Sequence, residues 1–366
     1  MLRTTVALLA IAALGGCPMA GSTTATLALR FNTADPPTPV TTADSPVFRT
    51  FPVFESIDGR NGSHCPTITT FPDGELLAAW YSYVGPGELD GVAIYAGRRP
   101  AGRDLWDPPE LLVQRRESVG NPVLYSEGDA VWLFFAVVPG SGWSTAHIEL
   151  QRSADRGHTW SPPQLVDGPL GSNVRFPPVR TPEGDLLLPA YDDLLQRCLF
   201  FASPDGANWT LRATVSADLA HPCIQPSVAV LGSGRLLAVQ RNVGHGWLWV
   251  TASDDSGRTW APPIDSRFPN PASPSALLRL ADGHLVLVYN DSNRDRRPVS
   301  AALSADEGVT WHPPRVLVDG TGAYAYPSAI QTADGLIHIV YSHDRQRIQH
   351  LILNEAWIVA PAAAGS

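Results

Sequence analysis

The segment SADRGHTW, Ser153 to Trp160, returns as SDDSGRTW at Ser253 to Trp260 and as SADEGVTW at Ser304 to Trp311. A shorter copy, SPDGANW, runs from Ser203 to Trp209. The shared pattern is Ser-x-Asp-x-Gly-x-Thr-Trp, here called the Asp box. Its parts suit a tight turn. The Asp carboxylate accepts backbone N–H groups, Gly takes a backbone conformation closed to other residues, and Trp offers a large face for packing. These aspartates therefore read as turn staples rather than as catalysts. Motifs that recur at a fixed distance mark a repeated supersecondary unit.

Two further ladders share the period. One is a turn followed by an apolar strand: PDGELLAAW from Pro72, EGDAVWLFF from Glu127, PEGDLLLPA from Pro182, GSGRLLAVQ from Gly232, ADGHLVLVY from Ala281 and ADGLIHIVY from Ala333. The other is a tryptophan, at 106, 160, 209, 260, 311 and, more weakly, 357. Both advance by about 50 residues per step, which fits four short strands per unit. Six units predict an all-β, six-bladed β-propeller with Asp-box turns, spanning 49–358.

The composition agrees. Of the 366 residues only 17% are charged, whereas 31 are Gly, 34 Pro and 11 Trp, and no long stretch has a helical apolar stripe. A net charge of −9 argues against a nucleic-acid partner. The opening MLRTTVALLAIAALGGC has one Arg and an apolar run too short to span a bilayer. It reads as a signal segment, 1–17, ending at a lipidation site, Cys17. The expected protein is exported and held to a bacterial membrane by that lipid alone. Residues 18–48 are expected as a flexible tether and 359–366 as a disordered tail. Cys65, Cys198 and Cys223 lack metal-ligand spacing with His, so no metal is expected, and buried thiols are the default reading. No Gly-rich phosphate loop calls for an organic cofactor.

Strand parity separates the faces. If the Asp-Gly turns join first to second strands, and the Asp boxes third to fourth, both lie on one face. The starts of the first strands and the ends of the second then meet around the axis on the other. The first strands open with polar residues before Pro: His64-Cys65-Pro66, Asn121-Pro122, Arg175-Phe176-Pro177, Gln225-Pro226, Ser273-Pro274 and Tyr326-Pro327. The second strands and their loops add Tyr81, Glu88, Asp90, Trp143, Tyr191, Asp192, Arg241, His245, Arg296, Arg297 and Arg345. Clustered Arg suits a planar carboxylate, which two parallel hydrogen bonds can hold.

In this order of residues the chain resembles the sialidase (neuraminidase) superfamily, in particular its bacterial Asp-box members. QPSVAVLGSGRLLAVQRN matches the stretch that bears one carboxylate-binding Arg and points to Arg241. NRDRRPVSAALSADEG points to Arg296, with Arg297 beside it, and AYAYPSAIQTADG to Tyr326 as the nucleophile. The resemblance places the acid/base at Glu88 or Asp90. Two positions depart from the pattern. His64 stands where the family's first Arg is expected, and Gln225 replaces the Glu that activates the Tyr; an amide takes no proton.

The reading that follows is an exo-glycoside hydrolase for an acidic sugar. Arg241 and Arg296 would clamp the carboxylate, Arg175 or Arg345 would stand in for the missing partner, and Arg297, Asn121, Asp192 and His245 would also meet substrate. Two other functions stay open. One is a uronate lyase using His64, His245 and Tyr326 as acid and base. The other is a propeller that binds acidic glycans without turnover.

Overall fold

The computed structural model describes residues 35–40, 42–215 and 222–361; the signal segment and Cys17 lie outside them. The described chain forms six antiparallel sheets, five of four strands and one of five, and one short α-helix, Glu355–Val359. The sheets are the blades of a six-bladed propeller, and the first strands of neighbouring blades lie against one another around the axis.

Blade 1 comprises Gly62–Thr70, Leu76–Tyr83, Ala93–Arg99 and Glu110–Gln114. Blade 2 comprises Ser118–Glu127, Ala130–Val138, His147–Ser153 and Gln164–Val166. In blade 3 the first strand is split into Ser172–Val174 and Val179–Arg180, both paired with Leu186–Asp192; Arg197–Ser203 and Thr210–Val215 follow. Blade 4 runs from Cys223–Val230 to Ile264–Pro269, and blade 5 from Ala276–Arg279 to Arg315–Val318. Blade 6 has only three strands from this end of the chain, Tyr324–Gln331, Ile337–His343 and Arg347–Leu353. Its fourth is Phe48–Pro52, which pairs with Arg347–Leu353 and closes the ring. Trp357, the weak last rung of the ladder, is thus not in a strand. It sits in the helix and stacks on Phe48 at 4.3 Å between ring centres.

Part of the expected tether is fastened down. The Thr38 amide donates to Thr310 Oγ1 at 3.2 Å, and Asn354 accepts from the Val47 amide and donates to the Ser45 carbonyl. This stretch must feed the closing strand, so its backbone groups find partners on blades 5 and 6.

The Asp boxes behave as their chemistry predicts. In the Ser253–Trp260 copy, Asp255 Oδ1 accepts from the Thr259 amide at 2.8 Å, and Oδ2 accepts from its hydroxyl at 2.6 Å. Each of the three full boxes also touches the hairpin turn of the preceding blade. Arg156 meets Asp73, Arg258 meets Glu183, and Glu307 accepts from the Ser233 amide. Both sets of turns therefore share one face, as strand parity required. The box tryptophans fill clefts between blades: Trp260 stacks on Phe200 of blade 3, and Trp311 meets Phe268 of blade 4 edge-on. Burial of these large rings holds the blades together.

On the opposite face the X-Pro starts share a local distortion. In blades 1, 2, 4 and 6 the pairing register slips at the X-Pro step, and the residue before Pro has positive φ: Cys65 at 56°, Asn121 at 46°, Gln225 at 52° and Tyr326 at 60°. A bulge adds one residue, breaks the alternation of the strand and re-aims a side chain. Non-glycine residues in this region store strain, which is concentrated at functional sites.

Candidate active site

The bulged residues Asn121, Gln225 and Tyr326 line a cavity of about 240 Å³ at the axis, together with Tyr81, Glu88, Trp143, Tyr191, Asp193, Gln196, Arg241, Arg296 and Arg345. Every blade contributes. The cationic groups come from blades 4, 5 and 6, and the carboxylates from blades 1 and 3.

Tyr326 is the hub. Arg241 donates to its phenol oxygen at 3.3 Å and to Gln225 Oε1 at 2.9 Å. The Arg296 guanidinium lies over its ring, 5.4 Å from the centre, and the His64 ring lies 4.2 Å from it. Glu88 accepts from Tyr81 at 3.2 Å and pairs with Arg345 at 3.3 Å. Burial pulls Arg296 below its ordinary proton affinity, and the Arg241 and Arg345 charges add to this. Such crowding of cations favours an anion in the cavity.

Gln225 fixes the polarity of the floor. Its oxygen faces Arg241, so its amide nitrogen must face Tyr191, to which it donates at 3.3 Å. The Asn121 amide donates to the same phenol at 3.2 Å. Burial pushes Tyr191 well above its usual range, so the phenol keeps its proton. Asp193, which the sequence reading passed over for its neighbour, has its carboxyl raised by burial, with Arg241 opposing.

Several expected site residues are elsewhere. Asp90 is exposed and accepts from the Gly87 amide at 2.9 Å, stapling its own turn. Asp192 accepts from the Leu194 and Leu195 amides and from Arg197. Arg297 donates to the Gly320 carbonyl at 3.0 Å. His245 stacks on Trp249 and meets Asp265 at 3.3 Å. Arg175 is buried in the gap of blade 3, where it donates to the carbonyls of Pro66, Tyr326 and Pro327 and ties three blades across the axis. Both terminal nitrogens of its guanidinium are thereby engaged. His64 lies under Tyr326 rather than on the cavity wall, and burial holds its imidazole well below the ordinary value, hence neutral. Trp143, Tyr81 and Tyr191 stood at predicted second-strand ends; Asp193 and Gln196 carried no signal beyond lying in the same loop.

Among the described residues, Asp282, His284 and Glu355 bring three metal-type donors together on the turn-bearing side, away from this cavity. Cys65, Cys198 and Cys223 are buried, and none is in a disulfide.

Comparison with known proteins agrees with this fold. The BNR repeat-like domain family matches residues 74–339. A protein named sialidase from Bacteroides fragilis (strain YCH46) is 24% identical over 332 residues, covering 78% of this chain; the chain spans 60% of that relative's length. The Hadza microbial sialidase Hz136 superposes with a TM-score of 0.75 at 19% identity, covering 85% of this chain and 69% of the other. The intramolecular trans-sialidase of Ruminococcus gnavus, solved with oseltamivir carboxylate, gives 0.70 at 15% identity, covering 83% and 96%. These two likenesses establish the fold. With the family match covering most of the propeller, the chain belongs to the BNR repeat-like domain family.

Proposed function

We propose that this protein is an exo-acting glycoside hydrolase that removes a terminal, carboxylate-bearing sugar. One observation carries the reading: three guanidinium groups, Arg241, Arg296 and Arg345, line a single cavity with the Tyr326 phenol. In the proposed complex they hold the sugar carboxylate and set the anomeric carbon against Tyr326. A Tyr at that centre is a recognised exception to the two-carboxylate rule of glycosidases. Glu88 rather than Asp90 serves as acid/base, because it faces the cavity. Arg345 takes the place that His64 leaves vacant. That one of the fold relatives was solved with a carboxylate ligand supports an acidic sugar as the partner.

The test is a screen of purified protein against sialosides, ketodeoxy-acid glycosides and uronate polysaccharides, reading released sugar and ultraviolet absorbance together. Release of a free acidic sugar supports hydrolysis. A new C=C absorbance would replace it with elimination, although His64 and His245, two of the three groups a lyase would use, are not on the cavity wall.

A second reading has its own observation. Gln225 stands where an activating carboxylate would, and among the described residues the hydrogen-bond partner of the Tyr326 hydroxyl is Arg241. A protein that binds acidic glycans without turnover fits that arrangement. Calorimetric binding that survives Tyr326→Phe, with no release from any substrate, would select it.

The proposed setting is the bacterial periplasm or cell surface, with Cys17 lipidated. Incorporation of labelled palmitate, lost in Cys17→Ala, tests the anchor.

A further inference from the structure

Two thiols meet behind the cavity wall. Cys198 lies in the third strand of blade 3, and Cys223 opens the first strand of blade 4. Their sulfurs are 3.6 Å apart, and both side chains are sealed from solvent. The surrounding backbone is fixed: the Cys223 amide donates to the Gln196 carbonyl at 3.1 Å, and Cys198 pairs with Tyr191 and Val215 in its sheet. A disulfide needs its sulfurs about 2.05 Å apart, so closure takes only about 1.6 Å, shared between two side chains. Cys65 opens blade 1, where burial raises its thiol to about 11.

We propose that Cys198 and Cys223 form a disulfide that bolts blade 3 to blade 4 when the chain folds under oxidising conditions. The oxidant is a small disulfide such as glutathione disulfide. One cysteine thiolate attacks it and releases one glutathione thiol. The second cysteine then attacks the mixed disulfide and releases the other. The two cysteines lose two protons and two electrons, and one glutathione disulfide becomes two glutathiones. Because the folded site excludes solvent, the bond forms while the two blades close on each other, and burial then shields it from reductant.

The position gives the bond a consequence for the cavity. Gln196, two residues before Cys198, lines it, and so do Ile224 and Gln225, which follow Cys223 directly. The bolt fixes the wall from which Gln225 holds Arg241.

The full chain is refolded in a glutathione disulfide buffer and, separately, in dithiothreitol. It is then alkylated in denaturant and digested with trypsin. The expected result is a linked pair, Cys198–Arg212 joined to Ala213–Arg235, in the first sample only, with Cys65 alkylated in both. The oxidised form should melt roughly 5 °C higher than the reduced one. Cys198→Ala with Cys223→Ala, two small buried replacements, should abolish both the linked pair and the difference between the two buffers. Alkylation of both Cys198 and Cys223 after oxidative refolding would overturn the proposal. So would a link that involves Cys65. Neither outcome depends on any activity of the protein.

Discussion

Arg241 donates to the phenol oxygen of Tyr326 at 3.3 Å, although 85 residues separate them in the chain. The same guanidinium nitrogen donates to Gln225. One cation thus orients both the phenol and the Gln225 amide.

Arg241→Ala should remove this organisation. On any acidic glycoside the wild type cleaves, kcat/KM is expected to fall by roughly 100-fold or more. Arg241→Lys should not restore it, because an ammonium is a point charge and cannot hold a planar carboxylate through two parallel hydrogen bonds. Steady-state kinetics on purified variants checks this; turnover that persists in Arg241→Ala removes the clamp from the mechanism.

Gln225→Glu should raise kcat, by roughly tenfold or more, and give the rate an acidic limb. A carboxylate at this position can take a proton where the amide cannot. A variant that is no faster than wild type, at any pH, would show that Tyr326 is not limited by the missing base.

Glu88 and Asp90 should part company. Glu88→Gln is expected to cost activity, since this side chain faces the cavity between Tyr81 and Arg345. Asp90→Asn should leave kcat within about twofold, because Asp90 serves its own turn. Equal losses in both would fail this assignment.

Stability should decline in acid. Burial lowers His338 from 6.5 to about 4, and it pulls His64 and His350 well below their ordinary value. The native state holds these imidazoles neutral, whereas the unfolded chain protonates them near 6.5. Their contribution is complete above pH 6.5 and is lost as pH falls from there toward 4. At pH 5, His338 alone accounts for roughly 2 kcal/mol. Denaturant melts between pH 7 and pH 4.5 should show this fall, and a flat profile would contradict it.

Asp255→Ala should lower stability without touching the cavity. Burial raises this carboxyl, but the hydrogen bonds of Thr259 and Ser253 outweigh it and hold it low. Losing them should cost about 1–2 kcal/mol, and the melting temperature should fall by about 2–4 °C. Ligand binding, measured by calorimetry, should be unchanged.

The sequence alone carried the architecture. Its period near 50, the Asp boxes and the Asp-Gly turns set the number of blades and separated the turn-bearing face from the one that holds the cavity. These are local signals, because turn chemistry and strand alternation act over a few residues. The same parity led to Tyr326, Arg241, Arg296, Arg345, Glu88, Gln225 and Asn121, all of which line the cavity. Only the tertiary structure chose between neighbours: Glu88 over Asp90, Asp193 over Asp192, Arg296 over Arg297. It also gave Arg175 to three backbone carbonyls, and gave the last blade its outer strand from the other end of the chain. The physical reason is shared. Bulges and loops break the two-residue alternation, so direction there depends on which distant partner satisfies each polar group.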